Sequence, residues 1–478
     1  MPFYALNTGD TAWMLASSAL VLLMTPGLAF FYGGMVRTKS VLNMLMMNFA
    51  CIGLVSIMWV LYGFSEAFGT DSFHGLIGNF TQYVGMSNAK TDGLQSTITT
   101  SAGPGVSASA IPILVFAAFQ LMFAIITPAL ASGCIADRTK FGPWCIWVIL
   151  WTTIVYFPVA HWVFDFSGTT SLANGGILTK AGLPGADTFS NVGGWIANNL
   201  KAEDFAGGTA VHINAGAAGL ALALVLGKRL GWKKDPMRPH NVPYVMLGAG
   251  LLWFGWFGFN AGSAVSSGQL AGLAFINTNT ATATAMLGWI VVERLRDGHA
   301  TALGAASGAV AGLVAITPAC GYINPGASII LGFIAGGVCA FAVGLKWKLG
   351  FDDSLDVVGV HLVGGITGTL LIGLFGVANS ANAAAGAQNG LFYGGGLKLL
   401  GRQAVAAGAV MVFSFVAAYV IAIVIDKTIG MRIPAEDEAS GIDLAVHAET
   451  AYDSGGFGGG HRSAPVGAVS VTTVAQGV

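Results

Sequence analysis

Charge is what this sequence has least of. Asp, Glu, Lys and Arg make up only 9% of its 478 residues, against roughly 25% in soluble domains, which excludes an ordinary soluble fold. Cysteine is scarce, with residues at 51, 134, 145, 320 and 339 and no CxxC pair. Neither a disulfide framework nor a metal site is indicated. No basic leader opens the chain: MPFYALNTGD carries no Lys or Arg, and the apolar run behind it is long enough to span a bilayer, so no cleavable signal peptide is read. No nucleophile–base pair emerges, so an enzyme is not expected. No cofactor is called for, and no nucleic-acid partner either.

What remains is apolar. Hydrophobic residues make up 54% of the chain and glycine numbers 69, a composition suited to helices packed backbone to backbone in lipid. Runs of about 20 apolar residues cross a bilayer as helices. Eleven are read, at 11–35, 42–63, 112–133, 143–164, 205–227, 242–262, 271–293, 301–320, 326–345, 355–377 and 403–426. Of the 21 basic residues, Lys90, Lys180, Lys201, Lys398 and Arg402 fall in one set of loops and the rest in the other. The richer side is cytoplasmic by the positive-inside rule, so the N-terminus is expected outside and the C-terminus inside. Residues 1–427 form the expected membrane domain and 428–478 a cytoplasmic tail, its Gly/Ser/Val-rich distal part mobile.

The chain echoes itself. ITPA stands at 126–129 and at 316–319, and the pattern H-x3-G-x2-G starts at both His212 and His361. An aspartate precedes each histidine, read as Asp204 and Asp356. Five spans per copy is an odd number, so the second copy (about 242–377) is inverted relative to the first (about 11–227), with one further helix at 403–426. Inverted repeats place a substrate path near the midplane on their pseudo-two-fold axis. The expected fold is thus an all-α integral membrane protein of eleven transmembrane helices, two inverted five-helix repeats plus a final helix.

A lone helix histidine is ordinarily packed with one satisfied hydrogen bond. Two at matching positions of inverted halves point instead to function. Neutral imidazoles each donate and accept, so the pair can share a proton, and burial favours the neutral rings. Aromatic residues supply the second feature. Phe119 and Phe123 lie one turn apart, and WFGWFGFNAGS carries Trp256, Phe259 and Ser263. Most membrane phenylalanines only pack, yet aromatic faces bind cations, each worth about 0.5–2 kcal/mol.

These stretches, with PGLAFFYGGMVRTKSVLNM (26–44), FQLMFAIITPAL (119–130), YFPVAHWVF (156–164), DFAGGTAVHINAGAAGL (204–220), ITPACGYINP (316–325), LDVVGVHLVGGITG (355–368) and GIDLAVHAETAY (441–452), resemble the ammonium transporter, methylammonium permease and Rhesus protein family, in its bacterial branch. The resemblance spans all eleven runs and the tail. It implies transport of ammonium or ammonia across the cell membrane. Phe119, Phe123 and Ser263 would recruit ammonium, with Asp204 supporting that site; Phe123 and Phe259 would form a phenyl gate. His212 and His361 would line the pore beside Trp256, and Phe31 and Tyr32 would lie near the inner vestibule. The family further implies a homotrimer and a P-II-type regulator acting at the cytoplasmic tail. One position departs: Phe164 stands where the family usually has tryptophan, and Trp162 or Trp195 is a candidate to complete the site. Two rival readings are a sensor signalling through a partner, and an ion-coupled symporter. The short tail and the apolar gate weigh against them.

Overall fold

The computed structural model describes residues 6–86, 97–103, 106–166 and 193–452. It is a bundle of long helices. Among the described residues nine are apolar and long enough to cross a membrane: α1 Thr8–Met35, α2 Thr38–Phe68, α3 Ile113–Ile135, α4 Phe141–Phe164, α5 Gly208–Leu226, α6 Val242–Gly262, α9 Pro325–Leu349, α10 Val358–Phe375 and α11 Lys398–Thr428. Between them lie α7, Gln269–Asp297, and the shorter apolar α8, Ala302–Ile316. The Asn/Thr-rich run INTNTATAT dilutes the hydropathy of α7. Asn277, Thr278 and Thr282 of this run are buried, and Asn277 donates to the carbonyls of Cys320 and Ile323, each at 2.8 Å. A small antiparallel hairpin, β1 Thr97–Gly103 and β2 Val106–Pro112, precedes α3 and was not foreseen from the sequence.

Helix starts carry the expected polar caps. Asn7, Asn241, Thr301 and Asn324 each accept a backbone N–H three residues on. Close packing rests on small residues: a Cβ at Gly248 of α6 would lie 2.3 Å from the Phe31 nitrogen of α1. That contact brings Phe31 against α6.

The two copies meet reciprocally. A Cβ on Gly216, four residues after His212, would lie 2.5 Å from the Leu362 nitrogen, the residue after His361. A Cβ on Gly365, four after His361, would lie 3.0 Å from Ile213, the residue after His212. Such an exchange of partners is what a two-fold relation produces. The aspartate pairing needs correction. Asp353, not Asp356, matches Asp204: each stands eight residues before its histidine and accepts N–H groups at the head of the following helix. Asp356, with φ of 64°, instead pairs with Lys346 at 2.6 Å.

The end of the bundle that carries the tail is held by charge. Arg229 forks onto Asp352 at 2.9 Å and reaches Asp137 at 3.1 Å. Arg138, fully buried, donates to the Asp352 carbonyl at 2.6 Å and to Ser354. Burial alone would raise the Asp352 carboxyl, and the Arg229 bonds override it, holding Asp352 below its ordinary range. The tail docks here up to Tyr452. Asp443 accepts the N–H groups of Leu42 and Asn43 near the start of α2, and Glu438 accepts from Leu230 at 2.6 Å. The distal tail, expected to be mobile, lies outside the described residues, as does most of the 165–203 insertion.

Candidate functional site

His212 and His361 each sit in a π-helical turn, Gly208–Ile213 and Val358–Leu362, at the head of a 13-residue α-helical stretch. Such turns are rare and concentrate at functional sites. Asp204 shapes the first one. Its two oxygens take the N–H groups of Gly207, Gly208 and Thr209, each at 2.7 Å, and the Thr209 hydroxyl. Burial pushes the Asp204 carboxyl up, against these bonds. Gly207 has φ of 116°, which favours glycine, and a Cβ on Gly208 would strike Pro318 at 2.5 Å. The DFAGG sequence is therefore what this turn requires. Asp353 braces the second turn with bonds from Val357 at 3.1 Å and Val358 at 2.8 Å. Burial lifts Asp353 to about 6, opposed by Lys346.

The histidines face one another. Their Nδ1 atoms are 3.3 Å apart, the rings tilted by 19° with centroids at 5.4 Å, and both are buried. One Nδ1 must donate and the other accept, so the contact holds one proton between the two rings. The buried Nε2 of His212 has no hydrogen-bond partner among the described residues. Trp256 stacks on His212 at 5.4 Å and fixes its own indole N–H on Thr317 at 2.8 Å.

Phenyl rings continue the column. Phe259 lies 6.1 Å from His212, Phe123 is 4.2 Å from Phe259, and Phe119 and Phe164 flank Phe123 at 4.9 and 6.3 Å. Beyond Phe123 opens a cavity that leaves about 30 Å3 for the centre of a water-sized molecule, enough for one small ion or a water or two. Its lining is Phe116, Gln120, Phe123, Phe164, Phe166, Phe205, Ser263 and Val265. Ser263 donates to the Phe259 carbonyl at 2.8 Å, which leaves its oxygen lone pairs free to accept.

Phe119 stands behind Phe123 rather than in the cavity lining, and Asp204 lies beneath the π turn with its oxygens committed to backbone. Phe31 and Tyr32 lie toward the tail end. The Tyr32 hydroxyl donates to the Leu130 carbonyl at 3.0 Å, and Tyr32 and Val357 crowd the two sides of Gly133. Neither Trp162 nor Trp195 completes the cavity. Trp162 gives its N–H to the Leu76 carbonyl at 2.7 Å and packs on Phe413 and Trp195. Phe166 takes the place instead, two residues past the departing position. Gln120, Phe166 and Asp353 were missed. The D-x7-H spacing could have found Asp353, and Gln120 is one helical turn from both Phe116 and Phe123.

The sequence model of the Ammonium Transporter Family matches residues 12–452. An ammonium transporter of Mycobacterium tuberculosis is 56% identical over 455 residues, 93% of this chain and 90% of that protein. One of Bacillus subtilis is 44% identical, over 94% and 99%. Among solved structures, Mep2 of Saccharomyces cerevisiae superposes with a TM-score of 0.75 at 30% identity, covering 90% of this chain and 88% of that one.

Proposed function

The chain belongs to the Ammonium Transporter Family, and on that premise we propose that it carries ammonium nitrogen through the line of Phe123, Phe259, His212 and His361. The observation that carries this reading is the buried Nδ1–Nδ1 contact of 3.3 Å directly behind the phenyl stack. Ammonium and potassium share a charge and a size, but only ammonium donates hydrogen bonds and can lose a proton. Moving an intact cation past two phenyl rings carries a large desolvation cost, and neutral ammonia avoids most of it. Ammonium is therefore recruited at Ser263 among the rings, gives its proton to water on the outer side of Phe123, and crosses as ammonia along the histidines. It takes a proton from water on the far side, toward Phe31 and Tyr32. Asp204 acts on this path by holding the π turn that carries His212.

The chain crosses the cytoplasmic membrane eleven times, with residues 1–427 as the transport domain, the N-terminus outside and the tail inside. The uneven distribution of Lys and Arg supports that orientation. It works as a homotrimer with one path per subunit, and the docked tail around Asp443 and Glu438 is where a P-II-type regulator acts.

The test is current evoked by ammonium in proteoliposomes or planar bilayers, compared with potassium at matched concentration. Ammonium current or uptake with no potassium current supports the reading. Equal currents from the two ions sink it.

A further inference from the structure

Gln120 has no role in the account so far, and its surroundings are unusual. It sits in α3 and lines the cavity with five phenyl rings, Ser263 and Val265. Only 7% of it is exposed. Its side-chain amide makes no hydrogen bond to any described residue, whereas nearly every other buried amide of the bundle does: Asn43, Asn48, Asn214, Asn260, Asn277 and Gln403 all donate. A primary amide in an aromatic box carries a desolvation cost unless something in the box uses it.

We propose that Gln120 is a specificity-determining residue of the cavity, its Oε1 accepting one N–H of the bound ammonium while the Ser263 oxygen accepts another; the inference rests on the transport reading above. The chemistry of the lining selects this ligand. No lining side chain is charged, so an anion has no counter-charge, and the phenyl faces present negative electron density to a cation. Two neutral oxygens suit a cation that donates directional hydrogen bonds. They are too few to replace the hydration shell of potassium, which needs many oxygens at once. Phe166 adds a further phenyl ring to the lining, two residues past Phe164.

Neutrality matters as much as polarity. A carboxylate at this point would hold ammonium more tightly and favour its charged form, opposing the proton loss that the phenyl stack demands. An amide recruits the cation without trapping it. Binding that is equal for the waiting and the departing state helps capture and does nothing for transfer.

The experiment compares three proteins reconstituted in liposomes: wild type, Gln120→Leu and the isosteric Gln120→Glu, each titrated with ammonium chloride. Gln120→Leu is expected to raise the half-saturating concentration at least fivefold with its maximal rate nearly kept. Gln120→Glu is expected to move it the opposite way at pH 7.5, at least threefold lower with a reduced maximal rate, and to lose that gain at pH 5.5 as the carboxyl protonates. Opposite shifts cannot come from packing damage, which would move both variants alike. Unchanged half-saturation in both variants, or shifts in the same direction, overturns the assignment of Gln120 while leaving ammonium transport standing. Absence of ammonium flux in the wild type overturns both.

Discussion

The two ends of the bundle solve the same problem with different chemistry. From each end an aspartate braces a π turn whose histidine stands eight residues on, and the two histidines meet between the ends at 3.3 Å. At the cavity end, Asp204 is satisfied by backbone N–H groups and one threonine hydroxyl, and none of the cavity's lining side chains is charged. At the tail end, Asp353 lies in reach of Lys346, and the neighbouring loops are tied by Arg138, Arg229, Asp137 and Asp352. The difference teaches that the shared element positions the histidines, while the unshared surroundings divide the labour. The aromatic chamber offers a ligand no charged side chain. A dense ionic lattice fixes the loops on which the tail rests.

Substitutions can break that comparison, starting where most is at stake. Arg229→Met removes the nearest cation from both Asp137 and Asp352, leaving only Arg37 at 3.4 Å and Arg138 at 3.9 Å, and removing one member of a buried pair costs about 3–5 kcal/mol. A sharply lowered unfolding midpoint in detergent is expected, together with protease cleavage of the undocked tail. Because Asp352 is held below its ordinary range, its contribution is present above the unfolded carboxylate pKa and is lost as pH falls through the lower folded value. Acid titration of the wild type should therefore release the tail only well below neutrality.

Asp204→Asn comes next. It turns an amide NH2 toward N–H and hydroxyl donors, and each buried donor left unsatisfied costs about 1–3 kcal/mol. Uptake should fall at least tenfold. Asp353→Asn disturbs only two N–H bonds, leaves Lys346 with Asp356, and should fall by less. Equal losses would show that the two braces do the same job. Glycine sharpens the comparison further. Gly216→Ala drives a Cβ to 2.5 Å from the Leu362 backbone, whereas Gly365→Ala meets Ile213 Cγ1 at 3.0 Å and the Gly208 carbonyl at 3.2 Å. Overpacking costs about 1–3 kcal/mol where the neighbour cannot give, so thermal unfolding should penalise Gly216→Ala more. Smallest is Ser263→Ala, with fold and maximal rate kept and half-saturation raised roughly tenfold, since one hydrogen bond to a charged group is worth about 1.5 kcal/mol. An unchanged half-saturation removes Ser263 from recruitment.

Much of this was readable before any coordinates. Apolar run length located the helices, and the H-x3-G-x2-G repeat singled out two histidines and the glycines Gly216 and Gly365, whose contacts are reciprocal. What escaped has physical reasons. Arg138 and Arg229 were counted only among the basic loop residues that set sidedness, because sequence does not report the folding of loops onto one another. Asp356 was read as the counterpart of Asp204 without matching the eight-residue spacing of the first copy, and it is that spacing that identifies Asp353 as the carboxylate capping the turn. A π turn carries no residue signature, so the geometry that aims both imidazoles was invisible. Phe166 lies past the point where the family likeness stops, and Gln120 is a single polar residue in an apolar run, informative only once its neighbours are known to enclose a cavity.

The most direct measurement is the ratio of ammonium to potassium flux in liposomes holding the His212→Ala, His361→Ala double variant, beside wild type reconstituted at equal density. The account predicts that transport stops, or that a leak opens in which the two ions pass alike. A double variant that still moves ammonium and still refuses potassium contradicts it.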